Sequence, residues 1–334
     1  MSATVAGAAV ATDAAKTAMT LAGLAYGFPE KLPGYLQDIR LATHGEWVAT
    51  WVPAHPAGAY FAFVAANGTA KRFAVAIRGT NPSATAGFIH DVFDDIDVAV
   101  TSPWEHPSVR DASISRGAAR GLNALLTLEA HDTTMLQHLD AVLPNGAELW
   151  VTGHSLGGCL ASVLALKLAA RYAPRGVRVE LMTFAAPSAG NAAFARLVQD
   201  SLPTARRYYN PRDLVPMAWH DLARLREMYD APGPRCPPVL SLWAKAAAAN
   251  SARHGYAQPG PGIELSTTRS MKRAAAGLAS RITGVARRYV FEAEALYQHD
   301  PNTYLELLDA PRLPFNLPLR WLTRNLGFLG HIAG

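Results

Sequence analysis

Cysteine is nearly missing from this chain: Cys159 and Cys236 are the only two among 334 residues. That scarcity excludes a small disulfide-built scaffold and fits a reducing compartment, with Cys159 read as a small buried hydrophobe. Long hydrophobic runs are missing as well. The longest stretch without Asp, Glu, Lys or Arg runs from Trp47 to Ala70, and Pro53, His55, Pro56, Gly58, Asn67 and Gly68 interrupt it, so it is not read as a membrane span. The first 15 residues hold no basic side chain and no compact apolar core. They do not read as a secretory signal, which sets a cytoplasmic expectation, with export by a signal-less route left open.

Charge is sparse, at 17% of residues, and half the residues are hydrophobic, a balance that excludes disorder and supplies a large core. A net charge of +5 is modest for this length, and no nucleic-acid partner is expected. Acidic residues are absent between Glu264 and Glu292, where Arg269, Lys272, Arg273, Arg281, Arg287 and Arg288 stand. Apolar residues at steps of three or four, from Met271 through Leu278, Val285 and Tyr289 to Leu296, predict an amphipathic helix beside those cations. Two readings stand: a helix packed on the domain with a solvated cationic face, or a peripheral contact with a membrane or lipid-droplet surface. The first is preferred. The stretch from Leu313 to Leu329 carries the same ambiguity.

Short apolar runs at Trp47 to Trp51, Tyr60 to Ala66 and Arg72 to Ile77, each bounded by Gly, Pro or Asn, predict early strands. Leucines between Ala118 and Leu143 predict one long helix. Further strands are expected at Val177 to Phe184 and Arg206 to Tyr209, with a helix from Asn191 to Leu202. Alternating strands and helices require crossovers, hence an α/β fold with a mostly parallel central sheet. With no linker in evidence, residues 1–334 read as a single domain.

The most informative run is Leu149-Trp150-Val151-Thr152-Gly153-His154-Ser155-Leu156-Gly157-Gly158. An apolar strand, a glycine-flanked serine and an apolar helix follow in the order of a nucleophile elbow, where small neighbours let the backbone turn sharply and present the hydroxyl. Such a serine needs an acid, a base and an oxyanion hole. Asp213 directly follows a predicted strand and is the best acid. The base is His299, followed by the capping pair Asp300-Pro301, or His254, which spacing alone does not eliminate. Oxyanion N–H groups come from Leu156, directly after the serine, and from the turn after the third early strand, at Thr80. The chemistry requires no metal or organic cofactor.

Four separated pieces, Ile77 to Thr80, Thr152 to Gly158, Thr183 to Pro187 with Gly190-Asn191, and Asn210 to Pro216, together with His299 and Tyr304-Leu305, resemble the fungal-type triacylglycerol lipases, also called class 3 lipases. The resemblance implies an α/β-hydrolase fold, ester hydrolysis in lipids, Ser155 with Asp213 and His299 as the triad, and Thr80 with Leu156 at the oxyanion hole. It also selects His299 over His254. Within the same chemistry a phospholipase A1 or an esterase for short acyl, aryl or polyester substrates is the runner-up, and a catalytically silent lipid-binding module is the alternative of another class. Asn81 to His90 is similar to the family's lid, with a plain surface loop as the alternative. The step of 86 positions from Asp213 to His299 is longer than the family pattern leads one to expect, which points to a helical insertion at 221–293. Oligomeric state, acyl length and head group are not encoded in any motif.

Overall fold

The computed structural model describes residues 12–54, 60–68, 71–80, 97–107, 109–229, 234–265 and 284–315. Helix α1 (Asp13–Leu24) starts where the Thr12 side chain accepts from the Ala15 N–H, and eight of its residues are buried. After the short helix α2 (Leu32–Leu36), an antiparallel meander forms from β1 (Trp47–Trp51), β2 (Ala62–Asn67) and β3 (Arg72–Ile77). Next come β4 (Thr101–Pro103), β5 (Ser113–Ser115), α3 (Arg116–Thr127), a two-strand hairpin of β6 (Glu129–Ala130) and β7 (Thr133–Thr134), and α4 (Met135–Val142). The centre of the chain is β8 (Glu148–His154), α5 (Leu156–Tyr172), β9 (Arg178–Phe184), β10 (Gly190–Asn191), α6 (Ala192–Ser201) and β11 (Arg206–Tyr209). The last described elements are α7 (Pro238–His254), β12 (Tyr256–Ala257), β13 (Ile263–Glu264), α8 (Gly284–His299) and α9 (Pro301–Leu307).

The main sheet has seven strands in the order β1-β2-β3-β8-β9-β11-β13, antiparallel up to β3 and parallel from β3 onward. Strand alternation divides its core in two. Leu149 and Val151 face one apolar layer with Val75, Ile77 and the buried side of α5. Trp150 faces the other, with Phe63, Ala74, Phe184 and the residues of α1. Helix α5 is long and apolar enough by composition to cross a membrane, yet most of it is buried against the sheet and its neighbours. Its hydrophobicity all round is that of a core helix. A second, four-stranded sheet, in the order β12-β10-β5-β4, lies alongside.

The single helix expected between Ala118 and Leu143 is two helices separated by a hairpin. His131 and Asp132 both take positive φ (50° and 58°) at the hairpin turn, and Thr134 and Gln137 form a capping box that restarts the chain as α4. The leucine periodicity is real on each side of the break, but it does not register the turn between. In the stretch 221–293, α7 and the start of α8 are helical, whereas Ile263–Glu264 joins the main sheet as a parallel edge strand next to β11. Of the six cations in the acid-poor segment, Arg269, Lys272, Arg273 and Arg281 lie outside the described residues, as does the lid-like stretch 81–90. Arg287 and Arg288 are engaged with protein: Arg287 Nε donates to the Arg235 carbonyl (3.1 Å), and Arg288 Nε pairs with the buried Glu292 carboxylate (2.7 Å).

Candidate active site

The elbow follows from two close approaches. A Cβ on Gly153 would overlap the Gly157 carbonyl, and a Cβ on Gly157 would overlap the carbonyl of Ile77 in the neighbouring strand. Only glycine at both positions lets α5 start against the end of the sheet. Ser155, between them, sits at φ 62° and ψ −132°, a backbone conformation that costs a non-glycine residue about 1–3 kcal/mol. Its N–H donates to the Phe184 carbonyl (2.9 Å), which ties the strained residue to β9.

Parallel register sets the neighbours. Ile77 of β3 stands opposite Gly153 of β8, so two residues further Gly79 meets Ser155, and a Cβ there would lie 2.8 Å from the serine Cβ and 2.6 Å from the His154 carbonyl. Thr80 follows at once. Its Oγ1 is buried without a hydrogen-bond partner among the described residues. Leu156 is the first residue of α5, where backbone N–H groups lack partners within the helix and the helix dipole favours negative charge.

On the other side of β9, Tyr208 pairs with Phe184, and β11 ends four residues before Asp213. Asp213 is fully buried, and its carboxylate accepts three donors: the Val215 N–H on Oδ1 (2.9 Å), His299 Nδ1 on Oδ2 (2.7 Å) and the Tyr304 hydroxyl on Oδ2 (2.8 Å). His299 is the last residue of α8, and Asp300 caps α9 through the Asn302 N–H (2.8 Å), so His299 stands at a corner between two helices rather than on a loop. The corner is braced from below: Asn210 Nδ2 donates to the Gln298 carbonyl and side chain (2.9 and 2.8 Å), and the Asn210 N–H donates to the Tyr304 oxygen (3.0 Å). The His299 ring packs against that of His154, with centroids 4.7 Å apart, so His299 lies beside the residue that precedes Ser155.

His154 is itself buried. Burial first, and then the charge of the His299 ring, hold its pKa well below the usual histidine range, against a smaller opposing effect of the His299 backbone. Burial likewise pushes the Tyr304 phenol well above its usual value, with Asp213 adding to the effect. Near neutral pH the site therefore contains a neutral His154 and a neutral Tyr304 around the Asp213 carboxylate.

Residues 74–221 match the model of the lipase (class 3) family. The likeness spans rather less than half of the chain. The class 3 lipase match begins within β3 and runs through the elbow past Asp213, while α1, α8 and His299 lie outside it. A solved structure described as M37 lipase is similar over 89% of this chain and 91% of its own, with a TM-score of 0.69 and 25% identity. An MDLA mutant from Penicillium cyclopium shares the fold alone, at 17% identity and a TM-score of 0.50 over 78% of this chain and 83% of its own. Among curated sequences, Lipase ZK262.3 of Caenorhabditis elegans is 33% identical over 69 residues, which are 21% of this chain and only 20% of that protein. The α/β-hydrolase fold expected of a class 3 lipase is the fold observed.

His254, the competitor that spacing left open, is remote from this cluster in its bonding: it ends α7 and its Nε2 contacts the Ala99 carbonyl (3.1 Å). His220 instead meets the Ser188 hydroxyl (3.2 Å), and His331 lies outside the described residues. Three contributors escaped the reading of the sequence. Tyr304 was visible only as a residue near His299, the Val215 N–H as part of a loop, and Tyr26, whose hydroxyl reaches His154 Nδ1 (3.0 Å), gave no signal because it is brought in by tertiary packing of the N-terminal segment.

Proposed function

We propose that this chain is a serine hydrolase of lipid carboxylic esters, with Ser155 as nucleophile, His299 as general base and Asp213 as its orienting acid. The observation that carries this reading is the buried 2.7 Å hydrogen bond from His299 to Asp213, with the His299 ring against the residue preceding an elbow serine. In this mechanism Ser155 Oγ attacks the ester carbonyl carbon while its proton passes to His299 Nε2, and Asp213 holds Nδ1–H and stabilises the imidazolium. The resulting oxyanion is met by the N–H groups of Leu156 and Thr80 and by the unpartnered Thr80 hydroxyl. Collapse expels the alcohol, which takes the proton from His299. Water then attacks the acyl-serine through the same base, releasing the acid and restoring the Ser155 hydroxyl.

A lipid ester is favoured over other acyl substrates by the class 3 lipase match and the M37 lipase fold. Hydrolysis of p-nitrophenyl esters of increasing chain length, alongside emulsified triacylglycerol and phospholipid, tests the reading. Preference for emulsified long-chain glycerides supports a lipase. Preference for soluble short esters places the chain among esterases, release of fatty acid from phospholipid among phospholipases, and no turnover of any substrate identifies a silent lipid-binding module.

A further inference from the structure

Tyr26 follows α1, well before the stretch that matches the class 3 lipase family, yet its side chain ends beneath the serine elbow. The phenol oxygen lies 3.0 Å from His154 Nδ1 and 3.4 Å from the His154 carbonyl, and the Gly79 backbone lies against the same oxygen. A Cβ on Gly79 would overlap that oxygen, so the Gly79 backbone rests directly on Tyr26. One hydroxyl thus touches both the elbow and the turn that carries Thr80. Helix α1 is anchored well enough to make such a contact meaningful: it is buried along most of one side, and the Thr152 hydroxyl of β8 donates to its Ala18 carbonyl (3.1 Å).

Proton accounting gives the contact a direction. A phenol has one proton to donate. That proton goes to the nearer acceptor, His154 Nδ1, and neutral His154 must then carry its own proton on Nε2, on the opposite side of the ring. Burial keeps the Tyr26 phenol protonated, above its usual pKa, so it remains a donor across the working pH range. Neutral His154 packs against His299, which must gain and lose a positive charge in each half-reaction, and an uncharged neighbour adds no like-charge repulsion to that step.

We propose that Tyr26 is a positioning residue of this site, clamping the Gly79–Thr80 turn onto the Ser155 elbow and fixing the tautomer of His154. This rests on the ester-hydrolase reading above. The clamp never touches substrate; it acts by keeping the oxyanion donors on Thr80 and Leu156 at a fixed separation, so its value is realised when the carbonyl oxygen becomes negative rather than when the substrate binds.

The test pairs one variant with one measurement on the unmodified protein. Tyr26→Phe removes a single oxygen, and with a soluble p-nitrophenyl ester kcat should fall about tenfold or more while KM stays within about twofold. The inhibition constant of an alkyl boronic acid, which forms a tetrahedral adduct on an active serine, should rise by a similar factor, which a merely structural role would not produce. Wild-type kcat and boronic-acid affinity in Tyr26→Phe would overturn the proposal. Independently of whether that variant folds, nitrogen NMR of the wild-type His154 ring should show a protonated Nε2 and a bare Nδ1, and a proton on Nδ1 would overturn it equally. If the wild-type protein neither turns over esters nor binds the boronic acid, the hydrolase reading fails, while the ring tautomer still decides whether the clamp exists.

Discussion

Replacing Tyr304 with Phe removes one oxygen from a fully buried side chain and should disturb stability and rate together. That oxygen donates to Asp213 Oδ2 at 2.8 Å and accepts from the Asn210 N–H at 3.0 Å. Losing the first takes a hydrogen bond from a buried carboxylate, an interaction in the range of about 1.5–3 kcal/mol, and losing the second leaves a buried N–H without that acceptor, at about 1–3 kcal/mol. The two losses share one atom and are not additive, so a total of about 3 kcal/mol is reasonable. For a chain of 334 residues the unfolding entropy is about 0.7 kcal/mol/K, which converts that loss into a fall of about 4 °C in the unfolding midpoint. His299 keeps its bond to Asp213, so kcat should fall only about tenfold, with KM nearly unchanged. Differential scanning fluorimetry and steady-state kinetics on a soluble ester read the two effects. A midpoint within about 1 °C of wild type would refute the reasoning, because it would mean that this hydroxyl does not bridge Asn210 and Asp213.

Replacing each of the two competing histidines separates them: His299→Ala should lose at least about 10³-fold in kcat/KM, whereas His254→Ala, whose ring meets the Ala99 carbonyl and the Tyr256 ring, should retain wild-type rates. Ester hydrolysis should decline as the medium becomes acidic, because a protonated His299 cannot accept the Ser155 proton. Stability should follow a related slope through His154. Its folded pKa is depressed, so below about pH 6.5 the unfolded chain binds a proton that the folded chain does not, and stability is lost as the pH falls from there. In His154→Gln, urea titrations above and below that pH should show that part of the slope gone; an unchanged slope would mean that His154 titrates normally in the fold. Ser155→Gly should be inactive yet more stable by about 1 kcal/mol, since glycine tolerates the φ of 62° that serine holds under strain, and a destabilised variant would show that the elbow is not strained.

The parts legible in the sequence are those where local chemistry and tertiary geometry coincide. Gly153 and Gly157 announce a sharp turn because no other residue survives the approach to Gly157 and Ile77, and Asn191 and Asp300 act as the helix caps their positions suggest. The meander from Trp47 to Ile77 shows itself through turn residues at its boundaries. The hairpin at 129–134 does not, because leucines on α3 and α4 keep a helical spacing across it and the two left-handed residues at its turn, His131 and Asp132, are not glycines. The edge strand at Ile263–Glu264 is two residues long and carries no pattern at all. Within the site, the pairing of His299 with Asp213 spans 86 residues and could be chosen over His254 only through the resemblance, not through spacing. Tyr26 lies still further away, 128 residues from His154, and nothing near it in the chain marks its hydroxyl as part of the site.

Labelling with a fluorophosphonate, followed by mass spectrometry of the digested protein, tests the central claim most directly, because the probe reacts only with a serine whose proton is being removed. One adduct per chain, on the peptide containing Ser155, is predicted for the wild-type protein, with no adduct in Ser155→Ala and at least about 10³-fold slower labelling in His299→Ala. An unlabelled wild-type protein, or an adduct on any other serine, would contradict the assignment of Ser155, His299 and Asp213 as the hydrolytic centre.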